Sequence, residues 1–145
     1  MFGVLRKLLG LGGAAEATPG FNTQLFIYIR IPGDIQPIAR GERFEDPLQA
    51  VLEETGLGEI SGGGSQLADP YPDGRPRVEF CGIDVDATDL DKARALLMRK
   101  LIELDAPTGT ELHYTKGESM LLDRLVDGAW SEAELRSIRH PGFGA

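Results

Sequence analysis

Cys81 is the only thiol in the chain, and His113 and His140 are its only imidazoles. A cysteine nucleophile needs a base within hydrogen-bond reach. The pattern around Cys81 sets it on one face with Ile83 and Val85, while Leu112 and Tyr114 take the inward phase of their strand and turn His113 outward. Unless a bulge at Gly82 reverses that phase, the two sit on opposite faces of a sheet, and Cys81 reads as a buried structural thiol. His140, in the segment HPGFG, reads as a surface residue. Four carboxylates, Asp84, Asp86, Asp89 and Asp91, crowd one corner and could hold a hard cation. Asp89 occupies the glycine position of a calcium loop and Ala95 its closing glutamate. The corner is therefore expected to cap and solvate a helix start, with no metal site and no cofactor.

Two further stretches could bind a small molecule. Gly62, Gly63 and Gly64 could approach an anion closely, but a phosphate loop leads from a strand into a helix and this one leads into Gln66-Leu67 and a turn. With Arg40 and Arg43 from the preceding loop, the three glycines are the candidate lining of a ligand pocket. In VLEETGL, Glu53 and Glu54 resemble the end of a Nudix metal helix. Gln49 and Ala50 stand where that family has arginine and glutamate, and Pro47 interrupts the approach, so the pair reads as a solvated helix face.

These residues are positioned by a regular series of elements. LFIYIRI, Leu25 to Ile31, alternates aliphatic against aromatic and charged side chains, as a strand covered on one face does. Pro32-Gly33 ends it, and a loop rich in proline, glycine and charge runs to Glu45. Asp46-Pro47 then opens a helix with Leu48, Val51 and Leu52 inward and Gly56 as its stop. A second strand spans Glu59 to Leu67, weakened by its glycines, and ADPYPDGRP turns the chain into a third. That third strand carries Cys81, Ile83 and Val85 on one face, with Val78 and Phe80 on the other. A long helix follows, with Leu90, Ala93, Leu97, Leu101 and Leu104 at spacings of three and four. Pro107 and Gly109 end it, and TELHYT gives a fourth strand.

Strand, helix, strand, strand, helix, strand predicts an α+β ferredoxin-like βαββαβ sandwich: an antiparallel four-stranded sheet with two helices on one face, over residues 21–116. Leu121, Leu122, Leu125 and Val126, then a Ser131–Glu134 capping box with Trp130 and Leu135 as its staple, predict C-terminal helices over residues 117–145. The first 20 residues are expected to be a flexible tail, with Phe2, Leu5, Leu8 and Leu9 giving residues 1–9 a weak affinity for a membrane surface. No run is long enough to span a bilayer.

Such a sandwich leaves Phe26, Tyr28, Phe80 and His113 on the face away from the helices, and an apolar face of that kind needs a cover. The chain's own C-terminal helices, a second copy in a homodimer, or a ligand are the possible covers, and the expected partner is a protein or a second copy. RNA-recognition domains stack bases at the same two strands, but Ile29 and Arg30 depart from their first-strand motif and RVEFCGID from their third. The 15 basic and 23 acidic side chains give a net charge of −8, which repels phosphate backbones and argues against nucleic acid. At 145 residues and 41% apolar content, the chain suits one domain, and its single cysteine suits a reducing, cytoplasmic setting.

RGERFEDPL, GLGEISGGGSQL, CGIDVD and LDAPTGTELHY together resemble a family of small bacterial α/β proteins. That family shares an arginine-glycine then EDPL segment, a triple glycine and an APxGT turn. The resemblance covers Arg40 to Tyr114 and implies a fold; it brings no activity. The sequence thus points to a non-catalytic interaction protein of regulatory or immunity type acting through its open sheet face. The alternative is a ligand binder or enzyme with a pocket between the 31–45 loop and Gly62–Gly64.

Overall fold

The computed structural model describes residues 22–137. The N-terminal tail and His140 lie outside them. β1 (Phe26–Pro32) keeps the predicted period of two: Ile27, Ile29 and Ile31 are fully buried, with Tyr28 and Arg30 half-buried between them. Each such aliphatic side chain contributes roughly 1.5–3 kcal/mol relative to exposure. β3 (Val78–Ala87) runs antiparallel beside β1 and sets Val85, Ile83 and Cys81 against Ile27, Ile29 and Ile31. The two strands therefore present one continuous aliphatic surface to the helices.

The segment between β1 and the next strand differs from its expected form. Helix begins at Pro37, with α1 (Pro37–Arg40), a π-helical stretch (Gly41–Glu45) and α2 (Asp46–Thr55) following without a break. Asp46 lies inside this segment and does not cap it; its amide donates to the carbonyl of Gly41, five residues back. That wider turn absorbs one extra residue. It brings Phe44 into line with Leu48 and Leu52, and all three are fully buried. Gly56 closes α2 in the left-handed conformation, at φ +70°, as the sequence requires. β2 (Gly58–Leu67) pairs with β3, its register slipping at Ser61. α3 (Leu90–Glu103) is capped by Asp89, whose carboxylate accepts from the Lys92 amide at 3.0 Å, and it buries Ala93, Leu96, Leu97 and Leu101.

The four-stranded ferredoxin-like sandwich with C-terminal helices is corrected by the remainder of the chain. After β4 (Glu111–Lys116) come β5 (Ser119–Val126) and β6 (Ala129–Leu135), giving a six-stranded antiparallel sheet in the order β2-β3-β1-β4-β5-β6. Leu121, Leu122, Leu125 and Val126 imitate a helical stripe because β5 buries apolar side chains on both of its faces. The turns decide the matter. Asp127 and Gly128 both take positive φ, 48° and 83°, as a type I′ hairpin turn requires, and Gly117 takes φ 61° at the start of the β4–β5 turn. Ser131 does bond Glu134, at 2.8 Å, but within β6. Trp130 is no staple: its indole N–H donates to the Met98 carbonyl of α3 at 3.0 Å.

One buried carboxylate fastens this added hairpin to the helical layer. Asp123 is fully buried on the helix side of β5 and accepts from Arg94 Nε at 3.0 Å and Nη2 at 2.8 Å. It also accepts from the Tyr114 hydroxyl at 2.7 Å and the Ala133 amide at 2.9 Å. Burial works against the Arg94 charge, yet the bonds and charge of Asp123 outweigh it and raise the guanidinium's pKa. The Tyr114 phenol is pushed far up, by burial first and Asp123 second. Every lone pair of the carboxylate is thus answered, which is the condition for a buried ion pair to be tolerated.

Removing one partner of such a pair strands the other. Asp123→Ala is expected to lower unfolding free energy by about 3–5 kcal/mol, read by urea denaturation. Glu103→Ala, which loses only the surface pair with Lys100, should leave the transition unmoved. Equal, small effects from both variants would remove Asp123 from its anchoring role.

Candidate functional site

The face turned away from the helices is ordered in cross-strand rows. One row runs Gly62, Asp84, Tyr28, His113 and Leu122; the next runs Gly64, Gly82, Arg30, Glu111 and Arg124. Three of the first residues in these rows carry no side chain. A β-carbon at Gly82 would collide with the Tyr28 ring, so that ring leans out of its own row and lies across Gly82. Here an isolated strand glycine marks a close approach. A β-carbon at Gly62 would stand 3.1 Å from Asp84 Oδ2, which places the carboxylate over that glycine. At Gly64 the same atom would meet nothing within 4 Å.

The space left is a groove of about 310 Å³, floored by the backbone of Gly63 and Gly64 and walled by Tyr28, Phe80 and Asp84, with Ser65 and Gln66 at its outer rim. Its position follows from topology. β2 is the outermost strand on this side of the sheet, and a run of glycines there opens the sheet margin where a row of side chains would otherwise close it. Phe80 is held by Arg30, whose guanidinium lies 3.9 Å over the ring. The Tyr28 phenol has a raised pKa, because burial disfavours the phenolate and the Asp84 charge adds to that.

The other half of the face is a hydrogen-bonded charge array. His113, 5% exposed, places Nε2 2.8 Å from Glu111 Oε1, while Arg124 donates to Glu111 Oε2 at 3.2 Å. The Glu111 carboxyl is held below its usual range, by the His113 bond first and then by the charges of His113, Arg124 and Arg30, against the opposing effect of burial. Tyr28 meets His113 edge to face, ring centres 5.6 Å apart. His113 Nδ1 is buried without a partner among the described residues. It is not among the groove's lining residues.

The residues singled out by sequence are distributed as follows. Tyr28 and Phe80 wall the groove, His113 lies beside Tyr28, and Phe26, paired with Asp86 one end further along β1, is itself buried. Gly63 and Gly64 line the groove and Gly62 borders it. Arg40 belongs to the opposite side of β2. It pairs with Glu45 at 2.9 Å above Gly63 and donates to Ser65 Oγ at 3.2 Å. Arg43 is exposed, stacked 4.8 Å from the Phe44 ring. Cys81 is buried on the helix side, and burial pushes its thiol pKa up. The acidic corner is dispersed: Asp84 and Asp86 lie on β3, Asp89 caps α3, and Asp91 pairs with Lys116 and Arg94. Gly82, Gln66 and Arg30 were not singled out as site residues; the lone glycine in CGIDV was the available signal.

Comparison with protein-family models, curated proteins and solved structures found no match. Among the described residues, no group of three or more histidine, cysteine or acidic side chains is placed to hold a metal, and no helix is long and apolar enough to cross a membrane. The groove supplies ring faces, a carboxylate, a phenol and exposed backbone. Ser65 turns its hydroxyl to Arg40 on the other side of β2 and accepts from it. Among the described residues that line the groove there is no imidazole or lysine.

The geometry fixes how Tyr28 titrates. Asp84→Asn should lower its pKa without restoring the ordinary tyrosine value, since the larger cause, burial, remains. Gly82→Ala, by evicting the ring into water, should lower it further. Phenolate absorbance or ring NMR shifts against pH read both, and an unchanged Tyr28 titration in Gly82→Ala would show that the ring does not lie across that glycine.

Proposed function

We propose that this protein is a non-catalytic interaction module, of regulatory or immunity type, that holds a protein partner at the open face of its sheet. The observation that supports this most directly is the groove over Gly64. Three glycines on two adjacent strands clear a space that Tyr28, Phe80 and Asp84 then surround. Evenly packed sheet faces present side chains at every such position, and a gap of this size is suited to a side chain from outside.

The face is not a plain apolar patch. Leu122 and Phe26 are already buried, and Arg30, Glu111 and Arg124 bring charge to its middle. A partner must match this polarity in position and sign, which confers selectivity more than raw adhesion. A second copy of the chain is one partner of this kind, and the reducing cytoplasm is the compartment that suits a single free cysteine. The alternative pocket, with Arg40 and Arg43 over the glycines, has less support. Arg40 is engaged by Glu45 and Ser65, and Arg43 stands apart on the surface.

Gly64→Val is the informative variant, because its site is unobstructed and valine suits a strand. Partners retained from a lysate of the native host by the wild-type chain should be lost with Gly64→Val and with Phe80→Glu, while circular dichroism stays unchanged. Sedimentation of both proteins tests self-association in the same way. A Gly64→Val protein that keeps every partner and the same mass would refute the reading.

A further inference from the structure

We propose that two copies of this chain pair along the outer margin of β2, antiparallel about a two-fold axis at Gly64, so that their sheets join into one. This goes beyond the interaction reading, since it concerns the edge of the sheet and leaves its face to another partner. The first argument is backbone. β2 is the outermost strand on its side of the sheet, and alternate residues of such a strand turn their amide and carbonyl away from the neighbour they pair with. Among the described residues, the backbone of Gly62 to Gln66 has β3 as its only hydrogen-bonding neighbour. Gly63 to Leu67 are all exposed. The run is bounded at both ends. The Ile60 amide donates to Gln49 Oε1 at 2.7 Å and the register slips at Ser61; beyond the run, the Gln66 side chain donates to the Leu67 carbonyl at 3.4 Å, beside a second slip.

The second argument is the contrast between the two margins. Edge strands are guarded against pairing by charged side chains, proline or a bulge. The opposite margin has such guards: β6 carries Glu132 and Glu134, and it bulges where Ala133 takes φ 58°. From Gly62 to Gln66, β2 carries none of them. The sheet is closed to pairing at one edge and open at the other.

The third argument assigns the occupant. A chain of net charge −8, with 26% of its residues charged, repels its own copies over most approaches. Ser61 to Leu67 contains no charged residue, so two copies meet there without that penalty. A partner of opposite charge finds no attraction in this stretch, whereas a second copy requires its neutrality. Symmetry adds to this. A two-fold contact presents the same patch from both sides, residue i meeting j and j meeting i. The run from Gly62 to Gln66 is centred on Gly64, so pairing all of it sets Gly64 opposite its own mate, Gly63 opposite Ser65 and Gly62 opposite Gln66. Opposed α-carbons then stand about 4.5–5.5 Å apart. Leu67, 57% exposed, lies at each end of the paired run and gains cover from the second copy.

The test follows the full chain by sedimentation at concentrations up to about 1 mM, with hydrogen exchange of its amides. The wild-type protein should reach twice the monomer mass, and about two amides among Gly62 to Gln66 should exchange at least about tenfold more slowly in the dimer than in the dilute monomer. A β-carbon at Gly64 meets nothing within 4 Å, so substitutions there leave the fold intact. Gly64→Lys and Gly64→Glu should each be monomeric, because each sets like charges directly across the axis, and an equal mixture of the two should regain the double mass. Gly64→Val should keep that mass, whereas a second copy held at the sheet face would be lost with it. A wild-type chain that stays monomeric, lysine and glutamate variants that each remain dimers, or slowed exchange in β6 in place of β2 overturns the proposal. A mixture that stays monomeric overturns the register at Gly64. The two readings fail separately: a monomeric wild-type chain leaves a different partner for the sheet face, and a Gly64→Val dimer that keeps every host partner removes the face reading alone.

Discussion

β1 and β3 must bury one aliphatic row each beneath the helices, and a pleated backbone then sends every intervening residue to the other side. Ile27, Ile29 and Ile31 beside Val85, Ile83 and Cys81 fill the covered side completely. A slip of one residue would exchange the faces of one strand and uncover its aliphatic row. Tyr28 and Arg30, with Phe80, Gly82 and Asp84, are thereby fixed on the side away from the helices in known rows. The candidate site is a consequence of that phase, assembled by the same pairing that closes the core.

The glycines acquire meaning only within this frame. On the covered side of β2, Gly63 leaves room for Glu45 and Arg40, so the helical segment can close over the sheet margin. On the side away from the helices, Gly82 admits the Tyr28 ring and Gly64 leaves a space. One strand therefore uses glycine for opposite ends on its two faces, close packing beneath and vacancy above. The π-helical stretch serves the first of these, because the extra residue that aligns Phe44 with Leu48 and Leu52 also sets Glu45 over Gly63. At the far end of the sheet, Asp123 and Arg94 tie the β5–β6 hairpin to α3. That hairpin widens the face away from the helices and adds Arg124 to its charge array.

The legible part of this fold was the part governed by strict alternation or by strong punctuation. LFIYIRI announced both its faces, the leucines of α3 its buried stripe, and Gly56 a helix end. The misread part had a physical cause in each case. Leu121-Leu122 and Leu125-Val126 match a helical period because β5 carries apolar side chains on both faces, burying Leu122 on one and Leu125 on the other while Val126 is exposed, and such a strand has no alternation to show. The Asp127-Gly128 pair was the stronger signal there. Pro37 to Glu45 looked like a loop because Gly41 and its charged neighbours obscure a helix that only the burial of Phe44 makes worthwhile. Of the site, Tyr28 and Phe80 were legible as outward rings and Gly62–Gly64 as an opening. That they meet was not legible, since it depends on the β2–β3 register and on Tyr28 leaning across Gly82, and neither is a local property of the chain.

The contact between the Tyr28 ring and Gly82 carries both the phase of the sheet and the existence of the groove, so proton–proton Overhauser effects from that ring test the account most directly. Strong effects to the Gly82 α-protons, with none to the methyl groups of Leu97 and Leu101, are the predicted result. Effects from the ring to those leucine methyls would place Tyr28 beneath the helices and contradict the sheet, the groove and the function drawn from them.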